Sequence, residues 1–83
     1  MNVRLKMFAV LKERSGAAEA ELQLPQGTKV SAALEQIGRR FPGIADVLPK
    51  AAVAVNLNYA GRDTVLHDGD ELALIPPVSG GRA

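Results

Sequence analysis

The sequence contains no cysteine, one histidine and only three aromatic residues, Phe8, Phe41 and Tyr59. Without thiols there are no disulfides, thiolate metal centres or cysteine nucleophiles. A small secreted domain commonly relies on disulfides, so their absence points to the cytoplasm. So few aromatics provide no stacking platform for bases. No excess of one charge is present either: the formal net charge is +1, and the ten basic residues are scattered from Arg4 to Arg82. Neither nucleic acid nor an anionic membrane is an expected partner on these grounds. The opening MNVRLKMFAV alternates from the start. It has neither the apolar stretch of a signal peptide nor the length of a membrane span.

What is present is one domain's worth of chain: 83 residues, 47% hydrophobic and 23% charged. That composition fits a soluble globular domain with a modest core. Val3, Leu5 and Met7 alternate with Asn2, Arg4, Lys6 and Phe8, which predicts a strand buried on one face. A short helical turn over Ala9 to Arg14 ends at Ser15-Gly16. Ala20, Leu22 and Leu24 alternate with Glu19, Glu21 and Gln23 as a second strand, stopped by Pro25-Gln26-Gly27. Thr28 is the expected N-cap of the main helix. That helix carries Val30, Ala33, Leu34, Ile37 and Phe41 on one stripe and Arg39 and Arg40 near its C-terminal end. Pro42-Gly43 stops it, and Ile44, Val47 and Leu48 anchor the following loop. Ala51 to Asn56 reads as a strand with Val53 and Val55 inward, Asn56 to Asn58 as a turn, and Tyr59-Ala60 as a short edge strand. After the turn His67-Asp68-Gly69-Asp70, a last strand runs from Glu71 to Ile75 with Leu72 and Leu74 inward. Pro76-Pro77 cannot extend a ladder. The expected division is therefore a domain over residues 1–77 and a flexible C-terminal tail over 78–83.

An α+β chain in this order suits a β-grasp, a mixed sheet crossed by one main helix with its first and last strands parallel at the centre. Element order alone leaves ferredoxin-like arrangements open. No conventional catalytic constellation is visible. His67 beside Asp68 and Asp70 reads as an exposed turn, and the ligands that would complete a calcium loop are missing. Gly80-Gly81 is not a phosphate loop, since no helix follows it. The tail itself is the informative segment. Two stiff prolines project it from the last strand, and two glycines remove all side-chain bulk. Such a segment can thread a narrow site in another protein, with the backbone carboxyl as the reacting group.

Four stretches carry a resemblance to a known family: LKMFAVLKERSG over Leu5 to Gly16, Arg40-Phe41-Pro42-Gly43, Ala54-Val55-Asn56, and the closing run from Leu66 to Gly81. Together they resemble the molybdopterin synthase small subunit, MoaD, over nearly the whole chain. A Gly-Asp-Glu turn, an apolar strand and Pro-Pro-Val-Ser-Gly-Gly form a far more specific signature than Gly-Gly alone. The thiamine-pathway carrier ThiS shares the fold and the glycines but is usually shorter and lacks the Pro-Pro approach. The resemblance implies a ubiquitin-like β-grasp that is a carrier, not an enzyme in its own right, with no permanently bound cofactor. A ubiquitin-activating-type enzyme of the MoeB and ThiF kind would use ATP to adenylate the terminal glycine carboxylate. A sulfur donor would then displace AMP and leave a thiocarboxylate. Inserted into the large subunit, MoaE, the tail would donate sulfur to a cyclic pterin phosphate during molybdenum cofactor biosynthesis. On this chain Gly81 would bear the sulfur, and Pro76, Pro77, Val78 and Gly80 would serve the threading. Arg82 and Ala83 depart from the family's Gly-Gly ending, so a trimming peptidase is implied, or else this copy carries no sulfur.

Independently of the resemblance, the sheet face away from the helix is expected to carry Arg4, Lys6, Phe8, Ala52, Ala54, Glu71, Ala73 and Ile75. Phe8, Ala54, Ala73 and Ile75 make an apolar patch ringed by charge, an interface pattern. Two rival readings remain. One is a related carrier for thiamine, cysteine or another thio-product, or a protein modifier joined to lysines. The other is a binding module with an inert tail.

Overall fold

The computed structural model describes residues 1–77. Strand β1 (Asn2–Met7) buries Val3, Leu5 and Met7 and turns Asn2 and Arg4 outward, as period-two alternation requires. Helix α1 (Ala9–Ser15) follows and ends at Gly16, which adopts a left-handed conformation (φ 79°) and returns its amide to the Lys12 carbonyl. Strand β2 (Glu19–Gln23) pairs antiparallel with β1. Helix α2 (Val30–Arg40) buries Val30, Ala33, Leu34 and Ile37 on its inner stripe. Two short 3₁₀ turns, Pro42–Ile44 and Leu48–Lys50, seat Ile44 and Leu48 in the core before β3 (Ala52–Val55), β4 (Asn58–Tyr59) and β5 (Glu71–Ile75).

The strand order is β2-β1-β5-β3-β4, with β1 and β5 parallel and the other neighbours antiparallel. The parallel central pair excludes a ferredoxin-like sheet, which is antiparallel throughout. This is the ubiquitin-like β-grasp. Its core gathers Leu5, Leu11, Ile37, Ile44, Leu66, Leu72 and Leu74, all fully buried between the sheet and α2. Each such side chain contributes about 1.5–3 kcal/mol on burial, enough for these few residues to dominate the fold's stability.

Three local expectations change. The residue flanking α2 is Lys29, and it makes no side-chain cap. Thr28 instead turns its hydroxyl back to the Pro25 carbonyl at 2.7 Å. The reason is a long-range backbone pairing: Lys29 bridges Val65, and the Leu66 amide donates to the Thr28 carbonyl. The loop so held presents the Thr64 and Arg62 carbonyls to the amides of Val30 and Ser31, which satisfies the helix start without a side chain. Second, Val55 is only half-buried, while Ala51 and Leu66 join the core. Third, the hairpin turn lies at Asn56-Leu57, so the edge strand starts one residue earlier than expected, at Asn58.

Candidate functional site

The last strand sets the site's position. β5 lies at the sheet's centre, and Ile75 is paired with Ala52 of β3. Met7 is level with Leu74 on the other side, so Phe8 stands beside Ile75 at the end where β5 finishes. Pro76 and Pro77 come next; neither has an amide hydrogen to give a neighbouring strand. Chain leaving the sheet therefore does so next to Phe8, Ile75 and Ala52. Val78, Ser79, Gly80, Gly81, Arg82 and Ala83, the threading, sulfur-bearing and processing residues expected from the sequence, lie outside the described residues.

Phe8 stays outside the core for a local reason. It is extended (φ −127°, ψ 158°), and Ala9 then takes φ 50°, a left-handed value that turns the chain sharply into α1. The Phe8 carbonyl accepts the Leu11 amide at 3.0 Å, and the ring is left 47% exposed. Ile75 is half-buried. Ala54 and Ala73 sit opposite each other on β3 and β5 and are only 7% and 8% exposed. Neither belongs to the core cluster. On the face away from α2 they lie between Lys6, level with Ala73, and Tyr59, level with Ala54. Lys6, level with Ala73, forms a 2.9 Å ion pair with Glu71, and both side chains keep about a third or less of their surface in solvent. A pair this wet adds at most about 1 kcal/mol to stability, but it fixes where a cation and an anion stand beside the patch.

Tyr59 is the residue of this face that the sequence reading passed over. It pairs with Ala54, so it points to the same side, and it is 79% exposed. Once the Asn56-Leu57 turn is fixed, strand parity places it there. The histidine turn proves structural: Asp70 accepts the His67 amide and the Asn56 side chain at 2.8 Å each, and Asp68 accepts the Asn2 amide at 2.7 Å. Among the described residues no group of three potential metal-ligating side chains occurs, and no helix is long and apolar enough to cross a membrane.

The mixed sheet with its parallel central pair, crossed by α2, defines a ubiquitin-like β-grasp domain. Comparison with known proteins narrows the class. A model of the ThiS family matches residues 5–81. The molybdopterin synthase sulfur carrier subunit of Mycobacterium tuberculosis is 39% identical over 82 residues, covering 98% of this chain and 99% of that one. Among solved structures, SAMP1, a small archaeal modifier protein from Haloferax volcanii, superposes with a TM-score of 0.88 at 29% identity, over 98% of this chain and 100% of its own. A chain from the complex of subunits 1 and 2 of the molybdopterin-converting factor of Helicobacter pylori superposes at 0.69 with 26% identity, over 98% and 100%. The chain belongs to the ThiS family of MoaD- and ThiS-type sulfur carriers. The Mycobacterium relative is named a sulfur carrier subunit, and the Helicobacter pylori chain was solved in complex with a second subunit.

Proposed function

We propose that this chain is the sulfur-donating small subunit of a molybdopterin synthase, acting in the cytoplasm. The observation that carries this reading is the extent of the family match, which runs from residue 5 through Gly80-Gly81 and stops short of Arg82 and Ala83. A peptidase cut after Gly81 exposes a carboxylate. A MoeB- or ThiF-like enzyme converts it with ATP to an acyl adenylate, releasing pyrophosphate. A sulfur donor displaces AMP and leaves a thiocarboxylate on Gly81. The open face, with Phe8 and Ile75 at the exit and Ala54 and Ala73 between Lys6 and Tyr59, docks a MoaE-like large subunit. Pro76, Pro77, Val78 and Gly80 lead the sulfur into that subunit, where it passes to a cyclic pterin phosphate. The carrier needs no bound cofactor, because the reacting group is its own backbone terminus. The Helicobacter pylori complex supports a large-subunit partner for this kind of chain.

The likeness to SAMP1 favours a second reading, in which the activated Gly81 carboxyl is joined to an amine of another protein. Both readings share the first step, and one experiment tests it. A chain ending at Gly81 is incubated with the activating enzyme, ATP and a sulfur source, and its intact mass is measured. The expected result is a gain equal to sulfur replacing oxygen, with no gain for the full 83-residue chain. A truncated chain that no activating enzyme from its own cell adenylates overturns the proposal.

A further inference from the structure

The two outer edges of the sheet are finished differently. On β2 the odd-numbered β1 residues form the hydrogen-bonded pairs, as the Met7 amide to the Ala18 carbonyl (2.9 Å) and the Leu24 amide to the Met1 carbonyl (3.0 Å) show. Alternation then leaves Glu21, opposite Arg4, with its backbone groups pointing off the sheet. Arg40 of α2 donates to that Glu21 carbonyl at 2.6 Å while its guanidinium lies 5.2 Å from the Phe41 ring. The middle of the β2 edge is thus blocked by a charged side chain, a recognised protection against strand pairing.

Among the described residues the β4 edge has no such block. The Ala60 amide donates to the Val53 carbonyl at 2.9 Å, so Val53–Ala60 and Val55–Asn58 are the hydrogen-bonded pairs and Ala54–Tyr59 lies between them. The N–H and C=O of Tyr59 therefore point outward, and neither has a hydrogen-bond partner among the described residues. Beside them stand the two most exposed large apolar side chains among the described residues, Leu57 at 86% and Tyr59 at 79%. Leu57 holds φ 71° next to Asn56 at φ 50°, the pair of left-handed residues of a type I′ turn, where glycine is the favoured second residue. An exposed leucine retained in that conformation is strain kept against local preference. The hairpin is also held rigid: Asn56 donates its side-chain amide to Asp70 and accepts the Glu71 amide at 2.9 Å, and its own amide donates to the Glu71 carbonyl.

We infer that the β3–β4 hairpin is a docking edge for an extended segment of the partner that covers the open face, which adds a strand at Tyr59 and lays an apolar side chain against Leu57 and Tyr59. This rests on the proposed reading that a larger subunit docks there. The occupant follows from the chemistry of the edge: one outward donor and one outward acceptor recognise extended backbone. A second copy of this chain is a poor occupant, because two two-residue strands bury far less than the roughly 1,200 Å² of a stable interface. The side chain of Tyr59 shares its face with Ala54 and Ala73, so a strand added at β4 is continuous with a subunit lying on that face.

The test is amide hydrogen exchange at Tyr59 in the full chain, free and bound to the large subunit from the same cell, with binding of Tyr59→Pro and Tyr59→Thr measured alongside. Proline removes the outward N–H, which the hairpin itself does not use; threonine keeps it and removes the ring. Expected are at least about tenfold slower exchange at Tyr59 in the complex and a loss of affinity for Tyr59→Pro at least about tenfold greater than for Tyr59→Thr. Unchanged exchange at Tyr59 in a complex that Phe8→Asp disrupts overturns the inference and leaves the proposed function standing. Protection that rises with the free chain's own concentration overturns it in favour of self-pairing. Failure of the wild-type chain to bind any large subunit overturns the proposed function and the inference with it.

Discussion

Gly43 packs against the carbonyl of Arg14: a Cβ on this glycine would stand 2.8 Å from that oxygen, closer than real Cβ contacts come. The contact joins the end of α1 to the first 3₁₀ turn, and a backbone oxygen cannot swing aside as a long side chain can. Gly43→Ala is therefore expected to destabilise the domain by about 1–3 kcal/mol, the usual range for overpacking. Gly61→Ala is the matched control. Nothing lies within 4 Å of its added methyl and its φ is not left-handed, so a change within about 0.5 kcal/mol is expected. Urea denaturation of both variants decides. Equal stabilities would mean that α1 moves away from the turn without cost.

The strands and the long helix were legible because their burial follows simple periods. β1 alternates cleanly, β5 sends Leu72 and Leu74 inward, and α2 places Val30, Ala33, Leu34 and Ile37 on one stripe. What the chain's order concealed depends on contacts between distant residues. Thr28 looked like a cap because its neighbours in sequence suggest one, yet the amides it would serve are met by carbonyls more than thirty residues away. Leu66 lies in a loop with no period to betray it, and it is fully buried. On the site, Phe8 and Ile75 followed from strand parity, but the pairing of Ala54 with Ala73 depends on which strands stand side by side. Tyr59 was hidden for the same reason, since its face is decided by a hairpin register one residue different from the one expected.

Leu57 provides a test of retained strain. Its φ of 71° suits glycine, and its side chain contributes almost nothing to the core at 86% exposure. Leu57→Gly is expected to stabilise the free domain by about 0.5–1 kcal/mol, because relief of the left-handed strain outweighs the lost apolar contact. The same change should weaken binding of the large subunit. A thermal melt and a binding titration on one sample read both effects. A variant that is less stable and binds normally would assign Leu57 a purely structural part.

Arg40 should matter to association more than to stability. Its hydrogen bond to Glu21 is solvent-exposed and contributes about 0.5–1.5 kcal/mol. Arg40→Ala is expected to lower stability by no more than that, while uncovering the centre of the β2 edge and promoting concentration-dependent self-association. Sedimentation of wild type and variant over a range of concentrations makes the comparison. Monomeric behaviour of the variant at every concentration would show that Glu19 and Glu21 protect the edge without help.

Phe8 separates docking from folding. It is 47% exposed and lies beside Ile75 at the end where β5 finishes. Phe8→Asp removes an apolar anchor and sets a carboxylate on the patch without entering the core. Folding should be preserved, with binding of the large subunit weakened by about 1–3 kcal/mol, the range for a central anchor. Circular dichroism and calorimetric titration check the two halves. An unfolded variant would place Phe8 in the core, and an unchanged affinity would move the interface elsewhere.

Gly81 tests the chemistry at the far end of the chain. If the terminal carboxyl enters a channel shaped for bare backbone, a single methyl group there obstructs passage and narrows the accessible backbone angles. Gly81→Ala, made in a chain ending at that residue, should match the wild-type domain in thermal stability. It should still bind the large subunit through the open face. Sulfur transfer to the pterin should nevertheless fall sharply in a reconstituted assay. Adenylation of the variant is followed separately by pyrophosphate release, which tells a block at activation from a block at threading. Wild-type transfer by this variant would refute threading while leaving Gly81 as the activated residue. Loss of adenylation alone would place the steric constraint in the activating enzyme rather than in the large subunit.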